Sequence, residues 1–495
     1  MKKFVAFLLL LTLAAGVFAL ASAETLVNQA DRKIKPADLQ KDGNFALNSV
    51  IEGESPTTGL PWTGNYQPML VQFDNTYGGV DKGRHWGIGD ADIVYETPLE
   101  RNGLTRLSGL FSDQFPESAG PVRSARVSHA WLRREWQAGF CFYGVQTATN
   151  TNVKDVFKKE GLSMVKLGIL FDGTVGNAKP WKKYYSRVSG IAAPHNVDAN
   201  VAAMQEMIDA NEFPATPRPF LFSDSKPAEG DFAEFIWIDN KGQQSLANSY
   251  IYDLEKNAYY RYVGGEPYYD KNIGPEEGHQ CYANIIVQRC NTSFNGNACP
   301  VTPVALEKGV AQGNADIFMG GRYVPGYWMR TGMDERTVFL DMNGKEIAFQ
   351  RGKTFIHIVN DDVEVTYTVD EDVLKELQAD AQSAIDAERA AEIVEEDIPD
   401  SAEEEETEAV EETAAEVTDT VDETAEGPVT YEKHLTGKTN ASVKVRKGPS
   451  KSDTVIGTMK KGTKVTILGE DGDWYLIYYK GDQRYVMKEF VDVKK

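Results

Sequence analysis

The 495-residue sequence predicts an α+β main body of two subdomains, the second largely antiparallel β, followed by a small all-β barrel. Three observations carry this. Val127, Ala130, Trp131, Arg134 and Ala138 recur at helical spacing among short β-prone runs, so helix and strand are mixed early in the body. Between Phe232 and Val359, β-prone runs alternate with turn clusters such as Gly264-Gly265 and Asn343-Gly344, the punctuation of antiparallel hairpins. After an acidic stretch, five further β segments crowd into the last part of the chain. The length alone suggests about three domains.

Residues 1–23 read as a secretory signal. Lys2 and Lys3 precede an apolar run from Phe4 to Leu20, and Ala21-Ser22-Ala23 supplies the small residues that signal peptidases accept. The run is short for a membrane span, no cysteine follows the cleavage site, and no later stretch is apolar enough to cross a bilayer. The mature chain is therefore expected to be exported, at the cell wall or outside the cell, without a transmembrane or lipid anchor. Residues 24–60 are polar, of mixed charge and without periodicity, and are expected to form a poorly fixed arm.

The first subsidiary unit, residues 61–225, begins with the apolar run Met69 to Phe73, a buried strand that delivers Asp74 and Asn75 at its end. A glycine-rich loop, Gly78 to Gly89, follows. Leu104 to Phe111 reads as a strand, and a turn-rich segment leads to Pro121. Proline is favoured at the first helical position and Ser124 is a possible N-cap, so either boundary puts Arg123 and Arg126 at a helix N-terminus. Each arginine there opposes the helix dipole by roughly 0.3–1 kcal/mol. Two guanidinium forks, Ser124 and free backbone N–H groups describe a place for a phosphate or carboxylate. The alternative is an internal salt bridge to Glu96, Glu100 or Glu117. The helix is expected to end near Gly139, followed by a strand-like Phe140 to Val145 and a short helix from Asn152 to Glu160. Farther on, Ala193-Pro194-His195-Asn196 presents His195 after a backbone-fixing proline and before an asparagine able to orient a ligand.

Phe213 to Gly230 carries four prolines and marks a boundary, so residues 226–365 form the β-rich subdomain. Four cysteines remain after the signal. Outside the cytoplasm an even number suggests disulfides, and Cys290 with Cys299 flank the hairpin signal Asn295-Gly296. Cys141 with Cys281 follows by elimination. No CxxC motif, close His/Cys cluster or DxDxDG loop is present, so no metal or other cofactor is expected.

The net charge of −22 is local. Asp370 to Thr430 holds 24 acidic residues against Lys375 and Arg389, leaving the rest of the chain neutral. Residues 366–430 are thus expected to be an acidic linker, helical at first and then too self-repelling to fold. A neutral body gives no electrostatic reason to expect nucleic acid as a partner.

In residues 435–495 the strand end Val445-Arg446-Lys447-Gly448-Pro449-Ser450 is followed by Val455-Ile456-Gly457, Gly462, Val465, Gly472, Trp474-Tyr475 and Tyr485-Val486. This pattern resembles the bacterial SH3 family, with Lys444 where an asparagine is common. Such domains often bind cell-wall peptides, which implies an aromatic surface of Trp474, Tyr475, Tyr478 and Tyr485. The body resembles the YerB-like family of bacterial envelope proteins through Ala91-Asp92-Ile93-Val94-Tyr95-Glu96, Gly103-Leu104-Thr105-Arg106, Gly120-Pro121-Val122-Arg123-Ser124-Ala125-Arg126 and Ala193-Pro194-His195-Asn196. Members of that family often begin as lipoproteins, and a histidine and Gly-Gly-Ser found in them after the helix appear here as Tyr143-Gly144-Val145-Gln146.

The expected function is an exported envelope protein that binds peptidoglycan or a related anionic or carboxylate-bearing wall component. Arg106, Arg123, Ser124, Arg126, His195 and Asn196 would form the site and the SH3-like module would add wall association. The competing expectation is a hydrolase acting on wall glycan or peptide, with Glu96 or His195 as general acid/base. A third is a purely structural or adhesive surface protein.

Overall fold

The computed structural model describes residues 24–27, 47–76, 85–100, 104–149, 151–162, 169–175, 178–239, 247–294, 300–301, 311–379, 429–451, 453, 455–479 and 482–493. The signal sequence, residues 78–84 of the glycine-rich loop, Cys299 and most of the acidic linker lie outside them. Two compact units form, residues 1–399 and 400–495.

The first unit is mainly β, with helices few and short among the described residues. Its main sheet has eleven strands: β1 Met69–Asn75, β2 Ile93–Pro98, β3 Thr105–Phe111, β4 Gly139–Phe142, β5 Leu170–Asp172, β6 Asp231–Phe232, β7 Asn284–Arg289, β8 Ala311–Met319, β9 Arg322–Arg330, β10 Val338–Asp341 and β11 Thr354–Val359. They lie in the order β6-β9-β8-β7-β11-β2-β3-β1-β4-β5, with β10 beside β9. The sheet thus crosses the boundary expected near residue 225, and the two parts of the sequence join where β11 runs parallel to β2. Alternate residues of β1 feed two different cores. Val71 and Phe73 pack with Ile236 and Tyr250, whereas Leu70 packs with Trp136 and Phe140. Burial of both faces explains why the apolar residues Met69, Leu70, Val71 and Phe73 do not alternate with exposed polar ones, and the one polar residue among them, Gln72, is itself buried and accepts from Ser108.

A second sheet covers the first core. Its strands are Thr25–Leu26, Glu364–Thr368, Phe235–Asp239, Asn248–Asp253, Ala258–Val263 and Glu266–Pro267, with Cys281–Tyr282 beside Ala258–Val263. Helix α1, Val127–Trp136, covers the second core with α2, Val153–Lys159. Two more, α3 Ala178–Tyr184 and α4 Val201–Ala210, flank a small hairpin of Tyr185–Arg187 and Val197–Ala199.

Several expectations are corrected. The helix starts at Val127, neither at Pro121 nor with Ser124 as N-cap, because residues 121–125 are drawn into extended pairing. Asp74 N–H donates to the Pro121 carbonyl, Arg123 N–H to that of Gln72, and Ala125 bridges Val145. The described part of the N-terminal arm is fixed: Ser55, Thr57 and Thr58 are buried. Thr57 Oγ1 donates to Asp92, which also accepts from Ser112 N–H and Oγ, and Ser55 Oγ donates to Asp113. Cys141, Cys281 and Cys290 are free thiols. Cys141 lies inside the main sheet on β4 and Cys281 on an outer strand of the second sheet, which separates the expected pair. Residues 371–379 are helical, as the start of the linker suggests.

The second unit is a seven-stranded sheet, in spatial order Val455–Met459, Val443–Arg446, Asp482–Met487, Trp474–Tyr479, Lys464–Asp471, Val429–Thr439 and Val491–Val493. Its core is Val443, Val445, Met459, Val465, Ile467, Ile477, Val486 and Val491. Strand Val429–Thr439 begins inside the stretch expected to be linker.

Candidate functional site

The site is built on the C-terminal end of β1. Asp74 is fully buried there, and antiparallel register sets Arg106 of β3 directly opposite it. The Pro121–Arg123 segment hydrogen-bonds along β1, which brings Arg123 to the same carboxylate. His195 reaches it from the turn before Val197–Ala199. The resulting contacts are Arg106 Nη1 to Oδ1 at 3.6 Å, Arg123 Nε to Oδ2 at 3.1 Å and His195 Nδ1 to Oδ2 at 2.5 Å. Thr76 donates its N–H and hydroxyl to Oδ1 at 3.1 and 2.7 Å.

Burial by itself would raise the Asp74 carboxyl, but Arg106, Thr76, Arg123 and His195 outweigh it and hold the group below the usual carboxylate range. Burial acts oppositely on Arg106: it lowers the guanidinium, Asp74 raises it, and Arg126 and Arg123 lower it further. Arg106 is 3% exposed, and its Nε and Nη1 have no hydrogen-bond partner. Arg123 and His195 keep 24% and 22% side-chain exposure. One carboxylate is thus shared by two guanidinium groups and an imidazole, two of which reach solvent.

Of the residues named from sequence, Arg106, Arg123 and His195 converge. Arg126, Ser124 and Asn196 do not join them on Asp74. Arg126 is the N-cap of α1; its Nη1 folds back to the carbonyls of Ser124 and Ala125, while its N–H donates to His129 Nδ1. Ser124 Oγ donates to the Tyr143 carbonyl. Asn196 Oδ1 accepts from Arg187, whose other nitrogen donates to Tyr143 OH at 2.8 Å. The internal partner of Arg106 and Arg123 is therefore Asp74, a residue that was not among the carboxylates expected to pair with the arginines. Sequence reasoning placed Asp74 at a strand end without seeing that register would aim it at Arg106.

Glu96 belongs to a separate buried network. Its Oε1 accepts from Thr105 and Asn75, and its Oε2 accepts from Asn248 and lies 3.2 Å from His357 Nδ1. Burial raises this carboxyl, yet His357, Arg261 and Thr105 together bring it below its ordinary value. A buried carboxylate so engaged is not available as a general acid. His85 bonds the Asp74 carbonyl through Nε2 and Tyr268 OH through Nδ1, and Arg261, which pairs with Glu96, lies 4.2 Å from the centroid of the Tyr268 ring.

In the second unit, Trp474 is buried beside the barrel core and is not a surface residue. Tyr475 and Tyr485 are partly exposed, and the Tyr478 side chain lies outside the described residues. Among the described residues no helix is long and apolar enough to cross a membrane. None of their His, Cys, Asp and Glu side chains form a group of three or more that could hold a metal ion.

Residues 57–214 match the N-terminal domain, and residues 238–356 the C-terminal domain, of the family described as protein of unknown function DUF3048. Residues 441–492 match the bacterial SH3 domain. The Bacillus subtilis (strain 168) protein named "Putative lipoprotein YerB" is 26% identical over 282 residues, 56% of this chain and 76% of that protein. The crystal structure of Bacillus subtilis YerB has a similar fold, with a TM-score of 0.51 at 21% identity, covering 63% of this chain and 99% of that one. The chain accordingly belongs to the YerB-like DUF3048 family and carries a bacterial SH3 domain after its family-defining body.

Proposed function

We propose that this is an exported cell-envelope protein that binds an anionic or carboxylate-bearing wall component at Arg123 and His195, with its SH3 domain as a second attachment to the wall. The observation that carries the reading is the sharing of Asp74. A single carboxylate offsets one positive charge, and here it holds two guanidinium groups and a histidine in fixed orientation, with Arg123 and His195 open to solvent. Donors fixed in advance meet an incoming carboxylate or phosphate at little ordering cost. The SH3 match supports wall association, and a relative named as a lipoprotein supports an envelope location. Two weak sites on one chain gain apparent affinity through effective concentration. The test is thermal stabilisation by soluble muropeptides: Arg123→Ala should keep the fold and lose the stabilisation.

A second reading is favoured by the Asp74–His195 pair. A carboxylate that accepts from Nδ1 fixes the imidazole and leaves Nε2 to act as a base, the orienting half of a hydrolytic site. Incubation with muropeptides followed by mass spectrometry separates the readings. New products that disappear in His195→Ala would establish the hydrolase.

A further inference from the structure

Away from Asp74, a cavity of about 400 Å³ is lined by Lys256, Gln280, Cys281, Tyr282 and Lys353. Lys256 sits in the turn before Ala258–Val263, Cys281–Tyr282 pairs with that strand, and Lys353 immediately precedes β11. Lys256 is exposed; its Nζ lies 5.0 Å from the centroid of the Tyr260 ring and hydrogen-bonds that side chain, which raises the ammonium above its ordinary value. Lys353 donates to the Gly89 carbonyl, which uses one of its three N–H bonds. Arg351, also in the wall, is spoken for by Glu54 at 3.0 Å and Asp224 at 2.6 Å, so the available positive charge is that of the two lysines.

Gln280 stands between the strands of this wall. It is 5% exposed, Tyr282 OH donates to its Oε1 at 2.6 Å, and its Nε2 has no hydrogen-bond partner. If the amide were turned over, Nε2 would donate to Tyr282 OH and Oε1 would be left alone, so one polar atom is orphaned either way. Nε2 is sealed within the wall, where the side chain is held against Tyr282. Asp90 and Glu277 stand in the same wall and can accept from an amino group.

We infer that this cavity binds a small zwitterionic peptide: its carboxylate drawn to Lys256 and Lys353 and its amino group to Asp90 and Glu277. A volume near the lower end of the range of about 300–1,000 Å³ typical of ligand sites suits one or two amino acids and no folded partner. The site is separate from Arg123 and does not depend on the function proposed for it.

Cys281 gives a local reporter. It is half-buried in the cavity wall, whereas Cys141 and Cys290 are 0% and 4% exposed. The experiment titrates the full chain with the dipeptide alanylalanine and with its C-terminal amide by calorimetry, and maps iodoacetamide labelling of Cys281 by mass spectrometry. The free acid should bind saturably, the amide about tenfold more weakly, and the acid should slow labelling of Cys281. Lys256→Glu, at an exposed position, should weaken binding about tenfold, and Arg123→Ala should leave it unchanged. No saturable heat up to about 10 mM, a ceiling set by the scale of weak dissociation constants, would overturn the inference. So would equal affinity for acid and amide. Binding lost in Arg123→Ala but kept in Lys256→Glu would move the peptide to the Asp74 cluster, refuting the cavity and supporting the other site.

Discussion

Asp74 and Arg106 stand directly opposite each other on antiparallel strands, so their pairing is fixed by sheet register and not by a loop. A pair built in this way cannot drift apart without slipping every other side chain on β1 to the wrong face. It therefore anchors whatever else meets Asp74, including Arg123 and His195.

Removal of Asp74 should be costly. Asp74→Ala leaves Arg106 buried without a carboxylate, and breaking a buried pair from one side typically costs about 3–5 kcal/mol. Arg123→Ala, at a partly exposed side chain, should cost about 1 kcal/mol or less. Urea denaturation of the two variants measures the gap, and equal losses would remove Arg106 as the cause.

The pH dependence of stability should reveal two opposed groups. Burial, then Asp113, raise the Asp92 carboxyl to about 7 against the pull of Ser112. Its contribution is fully present below the unfolded value of about 4 and is lost as pH rises through 7. Burial lowers His85 to about 4, partly countered by the Asp74 carbonyl, so its contribution is present above about 6.5 and lost as pH falls through 4. The two slopes offset each other between pH 4 and 6.5. In Asp92→Asn the histidine slope is no longer offset by this carboxyl, and stability should climb more steeply with pH across that window than in the parent protein. Denaturant midpoints at several pH values check this, and an unchanged profile would refute it.

In the SH3 domain, Trp474→Ala should unfold the module, because large aromatic truncations in a core cost about 3–5 kcal/mol. Tyr485→Ala, at a partly exposed position, should leave it folded. Co-sedimentation with purified cell walls and circular dichroism, measured together, distinguish lost binding from lost structure.

Thiol chemistry should follow burial. Burial pushes Cys141 and Cys290 up to about 12, and their thiolates are scarce at neutral pH. Iodoacetamide should label Cys281 well before either, and reductant should leave the melting temperature of the body unchanged. A reductant-dependent drop would reinstate a disulfide.

Much of this architecture was legible in the sequence where local chemistry and tertiary context agree. Ala258–Val263 and Thr354–Val359 were readable from β-branched and aromatic runs between turn residues, and both strands have those bounds. The long hairpin of β8 and β9 was not readable. Gln312-Gly313-Asn314 and Pro325-Gly326 look like loop, and the pairing of β8 with β9 makes them strand. The start of α1 failed for a related reason: Pro121 to Ala125 carries helix-start residues, but neighbouring strands claim its backbone groups. In the site, Arg106, Arg123 and His195 stood out as polar side chains in suggestive settings. Asp74 did not, because nothing local in an apolar strand announces which residue will face it.

The continuity of the main sheet across residue 225 has a practical consequence for anyone dissecting this protein. Cutting there would strip β2 and β11 of each other and leave each fragment with a raw, apolar strand edge, an invitation to clumping. The two fragments would instead make a split reporter, inert apart and restored when brought together.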